Sequence, residues 1–243
     1  RSVGSGACLS GRESLASRPM FHAIIFDLDG VLITTDEFHT QAWKRMAEED
    51  GLPFRDEWGD LVRGISRRES LEAILREAAK LGADVDFSEE KKQEMTDRKN
   101  GYYQELIATL KPQDRLPGST ELLEALAGLN VACGVFSSSR NAGTIIDAVD
   151  MNSYFGAIVT GHDITKSKPD PQGFLICAER LGVEPADCIV FEDAPAGIDA
   201  ALAGGMAAVA IGDPALFSDR DVPVVPSVAK VDAKTLVETG KPN

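Results

Sequence analysis

The sequence predicts an α/β fold: a doubly wound, Rossmann-like parallel sheet, interrupted early by an all-helical insertion. Three observations carry that prediction. Short unbroken apolar runs at 23–26, 131–136, 157–159, 188–191 and 207–211 suit strands buried on both faces. Helical patterns separate these runs, as in a sheet wound by strand–helix–strand units. Between residues 36 and 111, by contrast, apolar residues recur only at helical spacing and charge is dense.

In chain order, residues 1–19 are rich in Ser, Gly and Arg and nearly free of acid, and Met20 follows. They read as a disordered leader outside the fold, with Met20 as the natural start. A targeting presequence is the rival, although the apolar centre of a secretory signal is missing. Ala23-Ile24-Ile25-Phe26 is the first strand. Phe38, Ala42, Trp43, Met46 and Ala47 then form the stripe of a first helix, for which Thr34 and Glu37 have capping-box spacing. A second stripe is Leu71, Ile74, Leu75 and Ala78, preceded by the capping box Ser66-Arg67-Arg68-Glu69. Met95, Tyr102, Leu106 and Leu110 form the third. Beyond residue 111, helices on Leu122, Leu123, Leu126 and Leu129, and on Phe174, Leu175, Ala178 and Leu181, alternate with the remaining strands. The expected organisation is a core of residues 20–35 and 112–243, with a helical domain of residues 36–111 inserted after the first strand.

The chain has 243 residues, enough to bury one substantial core. Lys+Arg 25 against Asp+Glu 39 leaves a net charge of −14, which repels nucleic acid and anionic lipid over most of the surface. No stretch approaches the ~20 apolar residues of a membrane helix. An anionic ligand would need a local positive field or a metal. Cys8, Cys133, Cys177 and Cys188 form no CxxC pair and read as reduced thiols, which fits the cytoplasm. Neither GxGxxG after a strand nor GxxxxGK[ST] occurs, which disfavours a dinucleotide-binding enzyme and excludes a P-loop NTPase.

Ligands of open α/β sheets bind at the carboxyl ends of the strands. Those ends here carry Asp27 and Asp29, then Ser137-Ser138-Ser139, then Glu192-Asp193, with Lys168-Pro169-Asp170 between. Asp27 and Asp29 are two apart, so an extended backbone points both to one face. One carboxylate can attack phosphorus while the other passes a proton. The added charge of Glu192 and Asp193 calls for a hard cation, for which Mg²⁺ is the natural choice. Taken singly, the serines also read as helix caps, Lys168 as a surface lysine, Arg67 as a solvated arginine beside a cap, His39 as a packed or surface histidine and Trp43 as core.

With these residues in this order, the chain resembles the haloacid dehalogenase superfamily of phosphotransferases. The resemblance rests on FDLDGVL (26–32), FSSSRN (136–141), KSKPDP (166–171) and FEDAPAGI (191–198), and spans residues 21–212. It implies Asp27 as nucleophile and Asp29 as general acid/base. It implies Mg²⁺ held by Asp27, the backbone carbonyl of Asp29, Glu192 and Asp193, with Glu192 acting directly or through water. Ser137 and Lys168 match core phosphate contacts. The insertion looks like the helical cap of one subgroup, most similar to the β-phosphoglucomutases, on EFHTQAW (37–43), RGISRRESL (63–71) and RKNGYY (98–103). That likeness implies substrate contacts by His39, Trp43, Arg63, Gly64, Ile65, Ser66, Arg67, Ser70 and Lys99, and by Ser138, Ser139, Arg140 and Asn141. Thr34 stands where the family commonly has Asp, and Arg63 and Arg140 stand where lysine is also seen. The function implied is a monomeric, cytoplasmic, Mg²⁺-dependent mutase. It would interconvert β-glucose 1-phosphate and glucose 6-phosphate through an aspartyl phosphate and a hexose 1,6-bisphosphate. A sugar-phosphate phosphatase is the alternative, needing only one phosphate site. A non-catalytic sugar-phosphate binder would lack a catalytic carboxylate, and none is missing.

Overall fold

β1 (Ala23–Phe26) occupies the middle of the molecule, with all four residues fully buried. The computed structural model describes residues 21–62 and 66–243. The expected leader, Met20 and Cys8 lie outside the described residues, as do Arg63, Gly64 and Ile65 of the expected substrate contacts. β1 pairs in parallel with β2 (Ala132–Phe136) on one side and with β4 (Cys188–Glu192) on the other. With β3 (Ala157–Val159), β5 (Ala207–Ile211) and β6 (Val224–Val225), the six strands lie in the order β3-β2-β1-β4-β5-β6. The two-residue β6 shows no run long enough to be read from sequence.

Alternate residues of β1 feed opposite faces, as the period of a strand requires. Ile24 and Phe26 join Ile189, Phe191 and Val209 beneath α4 (Ser119–Gly128), α5 (Ala142–Ala148) and α8 (Ala233–Thr239). Ala23 and Ile25 join Val190 and Phe174 beneath α6 (Gln172–Leu181) and α7 (Pro195–Ala203). Burial on both faces is the reason for the unbroken apolar runs. Cys133, Cys177 and Cys188 are free, buried thiols within these layers. Leu129 and Leu175 are exposed rather than core: Leu129 falls on the C-cap of α4, and Leu175 on the outer face of α6.

The insertion consists of α1 (Asp36–Glu49), α2 (Arg67–Lys80) and α3 (Glu89–Ile107), with a short 3₁₀ segment at 56–62. Trp43, Met46, Leu71, Ile74 and Met95 form a core of its own. Ser66 makes the predicted capping box with Glu69, and Ser88 caps α3 by accepting from the Lys91 N–H. Two expectations need correction. Thr34 is exposed and caps nothing; Thr35 holds the N-cap position of α1 without a side-chain cap bond, because its hydroxyl is engaged elsewhere. In α3 the buried face is Met95, Thr96, Lys99, Tyr103 and Ile107, so that Tyr103 and Ile107 lie inside where Tyr102 and Leu106 are predicted. The chain enters and leaves the insertion at one place. Ile33 bridges to Arg115, the Leu116 N–H donates to the Leu32 carbonyl at 2.9 Å, and Ser119 Oγ donates to the same oxygen at 3.1 Å. Among the described residues, no helix is long and apolar enough to cross a membrane.

Candidate active site

The ladder of β1 ends at Phe26, but the Asp27 N–H still donates to the Phe191 carbonyl at 2.8 Å, so Asp27 is placed by the sheet itself. Beyond it the backbone leaves the extended form, against the expectation that an extended backbone carries both Asp27 and Asp29. Gly30 turns it with φ 82°, and the Gly30 N–H returns to the Ile33 carbonyl at 2.7 Å. A side chain at Gly30 would collide with the Asp193 carboxylate, and one at Gly197 with Glu192. Both glycines therefore admit acidic residues to the end of the sheet.

Lys168 reaches this point from the loop before α6. Its ammonium donates to Asp27 Oδ1 and Glu192 Oε1 and lies 4.9 Å and 5.1 Å from the Phe136 and Phe174 rings. Burial opposes that charge, but Asp27 and Glu192 outweigh it and hold the ammonium above its ordinary value. Burial raises the Asp27 carboxyl well above the usual range, with Glu192 and Asp193 adding to the rise and Lys168 opposing it. Asp193 is pushed up to about 7, first by burial and then by Glu192 and Asp29. Glu192 Oε2 accepts from the Ala194 N–H at 2.7 Å. Among the described residues, no three carboxylate, imidazole or thiolate side chains close on one point as a formed metal centre. The donors are nonetheless all oxygen, and they carry more negative charge than Lys168 offsets. That chemistry fits a hard divalent cation.

The Asp29 carboxylate is held by the Thr35 backbone N–H at 2.7 Å and the Thr35 hydroxyl at 2.5 Å. With its proton committed to Asp29, Thr35 Oγ1 accepts from the Tyr103 hydroxyl at 2.8 Å. Tyr103 thus ties α3 of the insertion to Asp29, and burial raises its phenol above the usual range. One turn earlier on α3, Lys99 Nζ donates to His39 Nδ1 at 2.7 Å. Burial, then Lys99 and Arg67, push His39 down to about 3. Its ring is therefore neutral at pH 7, with Nδ1 as acceptor and Nε2–H as donor. Lys99 is lowered to about 7 by burial and by Arg67. Trp43 is only 1 % exposed and packs in the insertion core, 4.9 Å from Lys99 Nζ.

The loop after β2 is organised by its own side chains. Ser137 Oγ accepts from the Ser139 N–H at 3.2 Å, and Ser139 Oγ from the Asn141 N–H at 3.1 Å. Ser138 Oγ is buried with no partner among the described residues, and Arg140 is exposed. Asn141 starts α5 without capping it by its side chain. Instead Asn141 Nδ2 donates to Asn100 Oδ1 at 3.1 Å, and Gln104 Nε2 donates to Asn141 Oδ1 at 3.1 Å. Arg67 Nη2 donates to the same Asn100 oxygen at 2.7 Å. Ser66 is spent on its capping box, and buried Ser70 donates to the Ser66 carbonyl at 3.0 Å.

The structure therefore gathers Asp27, Glu192, Asp193 and Lys168 at the sheet end, with Asp29 beside them. It brings Arg67 and Asn141 together at Asn100 across the seam between insertion and core, while Lys99 stays bonded to His39 within the insertion. Thr35, Tyr103, Asn100 and Gln104 were not singled out from the sequence. The one available signal was the four-residue spacing of Lys99 to Tyr103 and of Asn100 to Gln104, which places each pair on one stripe of α3.

The family model for haloacid dehalogenase-like hydrolases matches residues 21–205, which contain all of these groups. The chain belongs to this family. Haloacid dehalogenase-like proteins similar to it include the β-phosphoglucomutase of Bacillus subtilis, 46 % identical over 190 residues, or 78 % of this chain and 83 % of that one. A phosphorylated-carbohydrate phosphatase of Thermotoga maritima is 32 % identical over 186 residues, covering 76 % of this chain and 82 % of that one. The crystal structure of a β-phosphoglucomutase from Clostridium difficile superposes with a TM-score of 0.77 at 35 % identity, covering 89 % of this chain and 95 % of that one. As a haloacid dehalogenase-like protein with its acidic centre intact, the chain is an enzyme of that superfamily.

Proposed function

We propose that this enzyme is a Mg²⁺-dependent β-phosphoglucomutase, interconverting β-glucose 1-phosphate and glucose 6-phosphate through a phosphorylated Asp27 and the 1,6-bisphosphate. The observation that carries this reading is the group of donors across the seam. Arg67 of the insertion and Asn141 of the core meet at one Asn100 oxygen and, among the described residues, share no partner with the Asp27–Lys168–Glu192 group. A mutase must hold one phosphate while the other reacts, whereas a phosphatase needs a single site. The likeness to mutases at 46 % and 35 % identity supports the same reading.

In this mechanism Asp27 attacks phosphorus, and Lys168 answers the charge spread over the transferring group. Asp29 gives a proton to the leaving oxygen and takes one from the incoming hydroxyl. Asp29 must leave Thr35 to do so, and the Tyr103–Thr35 link makes that release sensitive to the posture of the insertion. The neutral His39 offers Nε2–H to the sugar, with its tautomer fixed by Lys99. Asp27, the Asp29 carbonyl, Glu192 and Asp193 would hold Mg²⁺. Bound there, the cation would neutralise charge between phosphate and carboxylates. Arg67, Arg140 and Asn141 would bind the phosphate that is not reacting. Arg67 stands at the start of α2, where the helix end adds to its attraction for an anion.

The test supplies β-glucose 1-phosphate, Mg²⁺ and a trace of the 1,6-bisphosphate, and follows glucose 6-phosphate and free phosphate together. Near-quantitative glucose 6-phosphate is the expected outcome. Stoichiometric release of phosphate would instead establish a sugar-phosphate phosphatase, the reading favoured by the 32 % likeness to a carbohydrate-phosphate phosphatase.

A further inference from the structure

One oxygen in the seam has no part in the reaction yet collects both of its principal donors. Asn100 Oδ1 accepts from Arg67 Nη2 at 2.7 Å and from Asn141 Nδ2 at 3.1 Å. Arg67 begins α2, Asn141 precedes α5, and Asn100 belongs to neither, projecting from α3. A carbonyl oxygen offers two lone pairs, and here both are taken by groups from opposite sides of the seam. Gln104, one turn along α3, fixes the other end of the Asn141 amide by donating to its Oδ1 at 3.1 Å. The pair therefore determines which way Asn141 faces, with its NH₂ turned toward Arg67. Arg140 and Lys99 interact with Arg67 through charge, and Asp97 partly offsets them.

We propose that Asn100 is a positioning residue whose carboxamide oxygen keeps the place of a phosphate oxygen. It holds Arg67 and Asn141 convergent until the anion takes both donors. The inference rests on reading Arg67 and Asn141 as phosphate ligands. A neutral amide suits this task. It is a strong enough acceptor to order a guanidinium, yet a phosphate adds an opposite charge to the Arg67 contact and charge assistance to the Asn141 contact, and displaces it. A carboxylate in the same place would not yield.

The experiment measures calorimetric binding of glucose 1,6-bisphosphate to the full chain with Mg²⁺, with thermal melting to verify folding. The proteins are wild type, Arg67→Ala, Asn100→Ala, Asn100→Asp and the double variant Arg67→Ala/Asn100→Asp. Asn100→Asp, which keeps the shape but adds charge, should weaken binding about tenfold or more, and Asn100→Ala by about threefold at most. With Arg67 already removed, the aspartate penalty should shrink to about threefold or less, because the group it grips is gone. A merely space-filling role predicts the opposite order, with the near-isosteric aspartate milder than alanine, and that order would overturn the proposal. So would an aspartate penalty undiminished in the double variant, since simple repulsion of the ligand needs no Arg67. If Asn100→Ala does not fold, Asn100→Ser replaces it in the same comparison. Unchanged binding in Arg67→Ala alone would instead remove the phosphate-site reading beneath the proposal, an outcome read from a separate arm.

Discussion

Replacing Lys168 with methionine tests how the acidic end of the sheet is held. Methionine keeps most of the side-chain length and can still pack on Phe136 and Phe174, but it removes the only ammonium donating to Asp27 and Glu192 among the described contacts. Those carboxylates are 7 % and 1 % exposed as residues, so solvent replaces the lost charge poorly. Breaking a buried ion pair by deleting one partner costs about 3–5 kcal/mol, and losing a cation over an aromatic ring about 0.5–2 kcal/mol. Protonation of Asp27 returns part of this, because its carboxyl is already held well above the ordinary range by burial. The net expectation is about 3 kcal/mol, or a melting midpoint lower by about 6–12 °C for a chain of this size. The sign with pH follows. A carboxyl raised in the folded state binds its proton more tightly there than in the unfolded chain, so the penalty of Lys168→Met fades as pH falls and is full once Asp27 is ionised. Added Mg²⁺ should narrow the gap, because the variant's carboxylates, free of the competing ammonium, bind the cation more tightly and gain more stability from it. Thermal melts by circular dichroism across pH, with and without Mg²⁺, provide the readout. Equal midpoints at alkaline pH, or a gap that widens toward acid, would refute the account of Lys168 as the counter-charge of this centre.

Asp27→Asn should trap no labelled phosphoenzyme. Asp29→Asn should still accept the label but turn over about 10²–10⁴-fold more slowly, as rapid-quench labelling would reveal. Lys99, with an amine lowered to about 7 by burial and Arg67, should gain a proton when a phosphate ligand arrives. Affinity should therefore fall as pH rises through 7, and Lys99→Met should flatten the profile; calorimetry in two buffers of different ionisation heat counts the protons taken up. Gly30→Ala should destabilise by about 1–3 kcal/mol, since φ 82° is strained for alanine and its Cβ meets Asp193. A midpoint matching wild type would show that Asp193 can move aside without cost.

The sheet was legible because strands buried on both faces need uninterrupted apolar residues, and Ala23–Phe26 and Cys188–Phe191 supply them. β6 was not, since two valines have no period. The acidic pairs were legible because each follows an unbroken apolar run, and Lys168 because that much negative charge calls for a cation beside it. What escaped was decided by partners distant in sequence. By its spacing to Glu37, Thr34 is the better local cap, and only the position of Asp29 engages Thr35 and removes its hydroxyl from capping. The buried stripe of α3 includes Lys99 and Thr96, polar residues that hide its phase, so Tyr102 was taken where Tyr103 lies inside. Asn100 and Gln104 read as solvated helix surface until the core loop carrying Asn141 is laid against them.

The place of β1 also bears on how the chain acquires its form during synthesis. This strand is near the start of the fold, yet its neighbours are β2, beyond residue 131, and β4, beyond residue 187. As the polypeptide emerges, Ala23–Phe26 must wait, unpaired and wholly apolar, until most of the remaining sequence has been made. The three helices α1–α3 are complete long before then, with contacts to one another that lie closer in sequence than the β1–β2 and β1–β4 pairings. Between a strand that cannot yet pair and the partners it awaits, the ribosome delivers a body able to collapse on its own residues. The segment tied to Asp29 through Tyr103 and Thr35 thus precedes the sheet on which the acidic residues gather, and Asp27, the proposed nucleophile, takes its seat only when β4 arrives beside β1.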